Sequence, residues 1–119
     1  MQENVLRGKS YKFALRIVKL FQLLSNEKRE FVMSKQVLRS GTSIGANVEE
    51  AGQAQSKPDF IHKLSIAQKE SFETHYWIRL LRDSDLLSSK LADSLLDDCS
   101  EIQKLITASI KTAKRNLGK

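Results

Sequence analysis

Few residues of this 119-residue chain have side chains suited to catalysis or metal binding, and their spacing is unfavourable for either. The histidines are His62 and His75, and Cys99 is the single cysteine. A di-iron helical bundle uses Glu-x-x-His motifs on two helices, and zinc sites use clusters of cysteine or histidine. Only Asp59 and His62 have an acid–histidine spacing of three, which we interpret as a surface pair at a helix start. We therefore predict a non-enzymatic protein with no cofactor and no metal.

The remaining chemical signals point the same way. Neither a GxxxxGK[ST] nor a GxGxxG phosphate-binding motif occurs in the chain. Cys99 lies on an apolar helical stripe, so we interpret it as a small core residue that forms no internal disulfide. No apolar run approaches 18 residues and the N-terminus lacks the pattern of a signal peptide, so we expect a cytoplasmic protein without membrane contact.

Basic residues are concentrated near both ends of the sequence, and the net charge is +6. On the first predicted helix they recur at steps of three, four and three, which places them on one face. Near the C-terminus they follow the last apolar stripe. The predicted nucleic-acid-binding residues are Lys9, Lys12, Arg16, Lys19, Lys111, Lys114 and Arg115. Such residues would contact phosphates without reading sequence, although an ordinary solvated face is the alternative interpretation of the first helix.

A polar row runs through the second predicted helix, and a matching row runs through the third. The residues of these rows are Arg39, Ser43, Asn47, Glu50, Glu70, Glu73 and Trp77. We expect the row to be structural and partly buried, with Arg39 paired to Glu70 or Glu73 across the two helices or across a subunit interface. If that pair is buried, loss of Arg39 should cost roughly 3 kcal/mol. Alternatively, Trp77 widens the core and the glutamates are solvated.

The elements that must position these residues are four helices, predicted at roughly 10–25, 32–55, 58–82 and 88–116. We assign the stripe of Ala14, Ile17, Val18, Phe21 and Leu24 to the inner face of the first helix. Short connections between long helices predict an all-α fold in one domain, 1–119, an antiparallel up-down-up-down four-helix bundle. That topology brings the two chain ends together. On the second helix, three glycines would allow close approach of a neighbouring helix: Gly41, Gly45 and Gly52.

The segments LRSGTSIGANVEEA, SKPDF and IAQKESFETHYW carry a family likeness. They resemble the bacterial four-helix-bundle family named for reading frames inside intervening sequences of 23S ribosomal RNA genes. Arg39, Ser43 and Asn47 match its pattern, whereas Gly45 stands where proline is common and Ala51 replaces the usual glycine. The likeness is specific in the second and third helices.

This resemblance implies a bundle that assembles into a ring, typically a homopentamer. It also implies a relationship to the accessory protein of diversity-generating retroelements, which is basic and works with a reverse transcriptase and nucleic acid. We therefore expect a homo-oligomer that binds RNA or DNA through basic surface without strong sequence specificity. The alternative is an interaction scaffold or accessory subunit that docks a partner enzyme and does not bind nucleic acid directly.

Overall fold

Four α-helices make up almost all of the computed structural model, which describes the backbone of residues 2–118 and the side chains of residues 5–118. They are α1 (Gln2–Asn26), α2 (Met33–Ala51), α3 (Lys57–Asp83) and α4 (Ser89–Leu117). Each helix packs on two others, so that α1 lies diagonally opposite α3 and α2 lies diagonally opposite α4. Ion pairs between the start of one helix and the end of its neighbour show that consecutive helices are antiparallel. They join Arg7 to Glu49, Lys63 to Glu50, and Asp93 to Arg82. The predicted four-helix bundle is confirmed.

The turns are held by polar side chains that cap the helices. Ser56 accepts a hydrogen bond from the Asp59 N–H at 3.2 Å and caps α3, as predicted. Before α2, the Glu30 carboxylate accepts from the N–H groups of Met33 and Ser34 at 3.0 and 2.8 Å. Burial raises the pKa of Glu30, but these backbone hydrogen bonds outweigh it and hold the pKa below its usual value. A glutamate from the preceding turn therefore replaces the usual short capping side chain.

The predicted apolar stripe of α1 was right for Ile17 and Leu24, which are buried, and wrong for Val18. The buried residues of α1 are Leu6, Ser10, Phe13, Ile17, Leu20 and Leu24. They alternate steps of four and three, as a helix facing a bundle core requires. Val18 is instead 37% exposed, and the surface of α1 carries its own apolar row. Because the true stripe begins at Leu6, α1 starts at Gln2 rather than near Ser10.

The end of α2 also differs from the prediction, since the helix stops at Ala51. There the N–H groups of Gln53 and Ala54 donate to the carbonyls of Glu50 and Ala51, three residues earlier. This tighter winding satisfies terminal carbonyls and ends the helix.

Gly41 and Gly45 both face α1, but α1 approaches Gly41 more closely than Gly45. A Cβ on Gly41 would lie 2.8 Å from Cγ1 of Ile17, whereas a Cβ on Gly45 would lie 3.4 Å from the Ser10 carbonyl oxygen. Gly52 is exposed beyond the helix end and has no such packing role, which corrects the expectation for it. Among the described residues, no helix is both long enough and apolar enough to cross a bilayer.

Candidate nucleic-acid interface and the polar row between α2 and α3

Two of the four predicted basic residues on α1 are held by carboxylates of α4. Lys9 Nζ lies 3.0 Å from Glu101 Oε1. Arg16 contacts Asp98 Oδ2 at 2.6 Å, and its second terminal nitrogen donates to Ser94 Oγ at 3.1 Å. The basic side of α1 therefore lies beside the acidic half of α4, which neutralises the charges of Lys9 and Arg16. Sequence spacing gives a face but does not tell which helix lies next to it.

The other predicted cations are exposed. Lys12 and Lys19 extend into solvent from α1, and Lys111, Lys114 and Arg115 do so from the last turns of α4. Within residues 5–118, none of these five side chains forms an ion pair with a carboxylate. Because α1 and α4 are antiparallel, Lys12 and the α4 cations lie toward the same end of the bundle.

A basic face of α4 includes one residue that the sequence reasoning missed. Lys104 precedes Lys111 by seven residues and Arg115 by eleven, so all three lie on one side of the helix. We call these three residues the α4 basic face. Beside it is a shallow depression of about 440 Å³, to which Gln103 and Thr107 contribute polar side chains. The seven-residue step from Lys111 back to Lys104 was the available signal.

Arg39 connects α2 to α3 through two carboxylates. Its guanidinium lies 3.2 Å from Glu70 Oε2 and contacts Glu73 Oε2. Trp77 Nε1 also donates to Glu73, at 3.0 Å. This tryptophan bond and the Arg39 contact keep the pKa of Glu73 below its usual value, although burial opposes them. The bond to Glu73 in turn raises the pKa of Arg39.

The rest of the polar row bonds mostly within α2. Ser43 Oγ donates to the Arg39 carbonyl at 2.7 Å, and Asn47 Nδ2 donates to the Ser43 carbonyl at 2.9 Å. Glu50 is exposed and accepts from Lys63 at 3.1 Å. The Arg39 side chain is 51% exposed, against 15% for Glu70. The row is thus a solvent-facing seam, and the expectation of burial is wrong for Arg39 and Glu50.

The acid and the thiol considered as candidate reactive groups form hydrogen bonds that stabilise the fold. Asp59 accepts a bond from the Gln55 N–H at 3.3 Å, and His62 is exposed. Cys99 is buried and donates to the Ser71 carbonyl at 3.3 Å. Burial, with a smaller effect of Asp98, raises the pKa of Cys99 to about 12. In the described part of the chain, no three residues of metal-binding type come together.

Comparison with known proteins agrees with this architecture. The model of the 23S rRNA-intervening sequence protein family matches residues 2–108. The chain belongs to this family. A solved structure of a protein with unknown function from the S23 ribosomal protein family, from Bacteroides thetaiotaomicron VPI-5482, is similar to it. The two are 54% identical with a TM-score of 0.92, and the match covers 93% of this chain and 99% of the other. No curated protein matches the chain.

The family match includes all of the polar row, whereas the last turns of α4 lie beyond it. It also includes two exposed apolar rows that the sequence reasoning missed. On α1 the row is Tyr11, Leu15 and Val18, which we call the α1 stripe. On α3 it is Phe72, Tyr76 and Leu80, spaced by four, which we call the α3 stripe. Trp77 packs against the core instead of joining the α3 stripe.

Proposed function

We propose that this protein is a cytoplasmic, non-enzymatic homo-oligomer that binds RNA or DNA phosphates through the α4 basic face. The observation that carries the proposal is the position of Lys104, Lys111 and Arg115. All three are exposed on one side of α4, without a carboxylate partner in the described part of the chain. Lysine and arginine bind phosphates electrostatically and carry no sequence information when they do so.

The surroundings of the basic face fit phosphate binding. Gln103 borders the same depression as Lys104 and Lys111, and side-chain amides are common phosphate contacts. No exposed aromatic ring accompanies the three cations, so base stacking contributes little and strong sequence preference is not expected.

Two exposed apolar stripes support self-association. The members of the α1 stripe are 63%, 49% and 37% exposed, and those of the α3 stripe are 60%, 50% and 37% exposed. Rows of exposed aromatic and aliphatic side chains are typical of protein interfaces. The stripes differ in shape and lie on diagonally opposite helices, so the α1 stripe of one copy would pack on the α3 stripe of the next. A head-to-tail contact forms a ring when its rotation closes and a filament when it does not, and the family resemblance favours a ring of five subunits.

Self-association is tested by light scattering on the wild type and on two single variants, Leu15→Glu and Tyr76→Glu. Each variant places a charge in one stripe and should give smaller particles. If the contact joins unlike stripes, an equimolar mixture of the two variants should form dimers, because each keeps one intact stripe. A wild type that is monomeric at tens of micromolar contradicts the proposal.

The nucleic-acid part is tested by gel shift at about 50 and 200 mM salt. Substitution of Lys104, Lys111 and Arg115 by glutamine should flatten the slope of log K against log salt by about 2 to 3, at 0.7 to 0.9 per phosphate contact. The matched control substitutes three exposed lysines of the opposite end by glutamine: Lys28, Lys35 and Lys90. Equal weakening by both triple variants would show general charge attraction and would refute the α4 site.

One observation favours the scaffold alternative. Lys9 and Arg16 are held by Glu101 and Asp98, so less free positive charge is present than the sequence suggests. The exposed aromatic rings of the α3 stripe would then dock another protein. If no shift occurs with RNA or with single- or double-stranded DNA at low salt, the scaffold interpretation replaces the nucleic-acid one.

A further inference from the structure

An open cavity of about 590 Å³ occupies one end of the bundle, between the end of α2, the start of α3 and the last turns of α4. A narrower cavity of about 90 Å³ extends from it toward the core. The two share Ala51, Phe60 and Ser109, and the inner one reaches Val48 and Leu64. The outer space is polar at its rim. The inner space is walled mainly by apolar side chains, and the one charged residue described in its lining is Arg7, which pairs with Glu49 at 3.3 Å.

Ser109 lies where the two cavities meet and has an unsatisfied hydroxyl. The residue is 7% exposed, and its Oγ has no hydrogen-bond partner among the described residues. Several helical hydroxyls of this chain donate to the carbonyl four residues earlier, as Ser43 and Thr107 do, whereas those of Ser10 and Ser25 are also unpartnered. A buried polar atom without a partner is rare in folded proteins and calls for an explanation. A ligand atom in the cavity would supply the missing partner.

The lining determines the chemistry of such a ligand. Among the described residues, Lys57 is the only charged side chain that lines the outer cavity, and it stands at the first turn of α3. The inner cavity has room for about three water-sized groups, at about 30 Å³ each. A short apolar tail fits there, and a negatively charged head group fits at Ser109 and Lys57.

We propose that this end cavity binds a short-chain monocarboxylate. One carboxylate oxygen accepts a hydrogen bond from Ser109 Oγ, the Lys57 ammonium balances the charge, and a tail of about three carbons fills the inner cavity. Four lining residues, Ser109, Thr112, Ala113 and Asn116, follow residue 108, where the family match ends. The proposal does not rest on the proposed nucleic-acid binding, because Ser109 and Lys57 are not part of the α4 basic face.

The test is an amide NMR titration of the full chain with sodium butanoate, with butan-1-ol and sodium acetate as comparison probes. Butanoate should shift the signals of Ala51 and Ser109 and bind more tightly than either probe. Ser109→Ala should weaken binding about threefold to tenfold, the range for loss of one hydrogen bond. The matched control is Ser10→Ala, since Ser10 is also buried and unpartnered but does not line either cavity. It should leave butanoate affinity unchanged.

A second variant keeps the proposal falsifiable if Ser109→Ala folds poorly. Ala51→Leu extends a side chain into the inner cavity and should abolish butanoate binding while the far-ultraviolet circular dichroism stays helical. Absence of shifts up to about 10 mM butanoate would overturn the proposal. So would unchanged binding in Ala51→Leu, or equal effects of the two serine substitutions.

Discussion

Gly41 and Gly45 lie one helical turn apart on α2, yet the same substitution to alanine should have opposite effects. Alanine is favoured over glycine inside a helix by about 1 kcal/mol at either position. At Gly41 the new Cβ would lie 2.8 and 2.9 Å from the two γ carbons of Ile17. Ile17 is fully buried and its γ carbons are attached directly to its Cβ, so it has little freedom to move away.

The expected magnitudes follow from these distances. Overpacking in a core costs about 1 to 3 kcal/mol, and the rigidity of Ile17 favours the upper part of that range. After the helix-propensity gain is subtracted, Gly41→Ala should destabilise the fold by about 1 to 2 kcal/mol. At Gly45 the nearest atom is the Ser10 carbonyl oxygen at 3.4 Å, an ordinary contact. Gly45→Ala should therefore stabilise the fold by about 0.5 to 1 kcal/mol.

Thermal unfolding followed by circular dichroism measures the difference. For a domain of this size, 1 kcal/mol corresponds to about 4 °C, so the two variants should differ in Tm by roughly 8 °C. All proteins must be compared at one concentration, because any self-association makes Tm depend on it.

A double-mutant cycle tests whether Ile17 is the cause. Ile17→Ala alone should cost about 3 kcal/mol, but it should cost at least about 1 kcal/mol less in the Gly41→Ala background, where it also relieves the clash. The reasoning is refuted if Gly41→Ala is as stable as Gly45→Ala, or if the two substitutions are simply additive.

Three further predictions concern single side chains. Arg39→Ala should lower the free energy of unfolding by about 1 kcal/mol in urea titrations, because Arg39 is half exposed, and a loss near 3 kcal/mol would instead indicate burial in an interface. Burial and two nearby arginines lower the pKa of His75 below 6.5, so the folded state resists its protonation and stability should fall as pH drops below 6.5. His75→Gln should flatten that dependence, and an unchanged pH profile would exclude His75 as its source. Cys99 should react with Ellman's reagent at pH 8 only on unfolding, since its pKa is about 12, and a fast reaction of the native protein would contradict that burial.

The helices α2, α3 and α4 were predictable because each buries an apolar stripe of clear helical period. Ile44, Ile78 and Ile102, for example, lie on the predicted inner faces and are at most 1% exposed. Helix α1 was harder because it carries two apolar rows, one through Ile17 and one through Leu15. Periodicity gives the angle between two rows, but only the packing of the other helices decides which row is buried.

The sequence identified many of the residues of the candidate sites, but it did not always show which of them would pair with each other. The Arg39 contact with Glu70 and Glu73 was foreseeable because a short turn joins α2 to α3 and limits how far the two helices can slide along each other. Pairing of Lys9 with Glu101 was not, since it depends on how far α1 slides along α4. The end cavity depends on the same offsets, and no pattern in the sequence marks it.

The charges on the outer side of α4 limit the direction in which a strand could lie on the protein. Asp97 and Asp93, of which Asp93 is paired with Arg82, occupy the same side of the helix as the α4 basic face, about two and three turns before Lys104. The basic segment from Lys104 to Arg115 is only about 17 Å long at 1.5 Å per residue, and the molecule extends 52 Å. If the protein binds nucleic acid as proposed, an RNA or DNA strand that ran along the helix axis would be repelled by these carboxylates. It must therefore cross the bundle transversely near one end. Each subunit would then contact only a few nucleotides. In a ring, the basic faces of successive subunits would lie at the same level along the bundle axis and form one circular binding path.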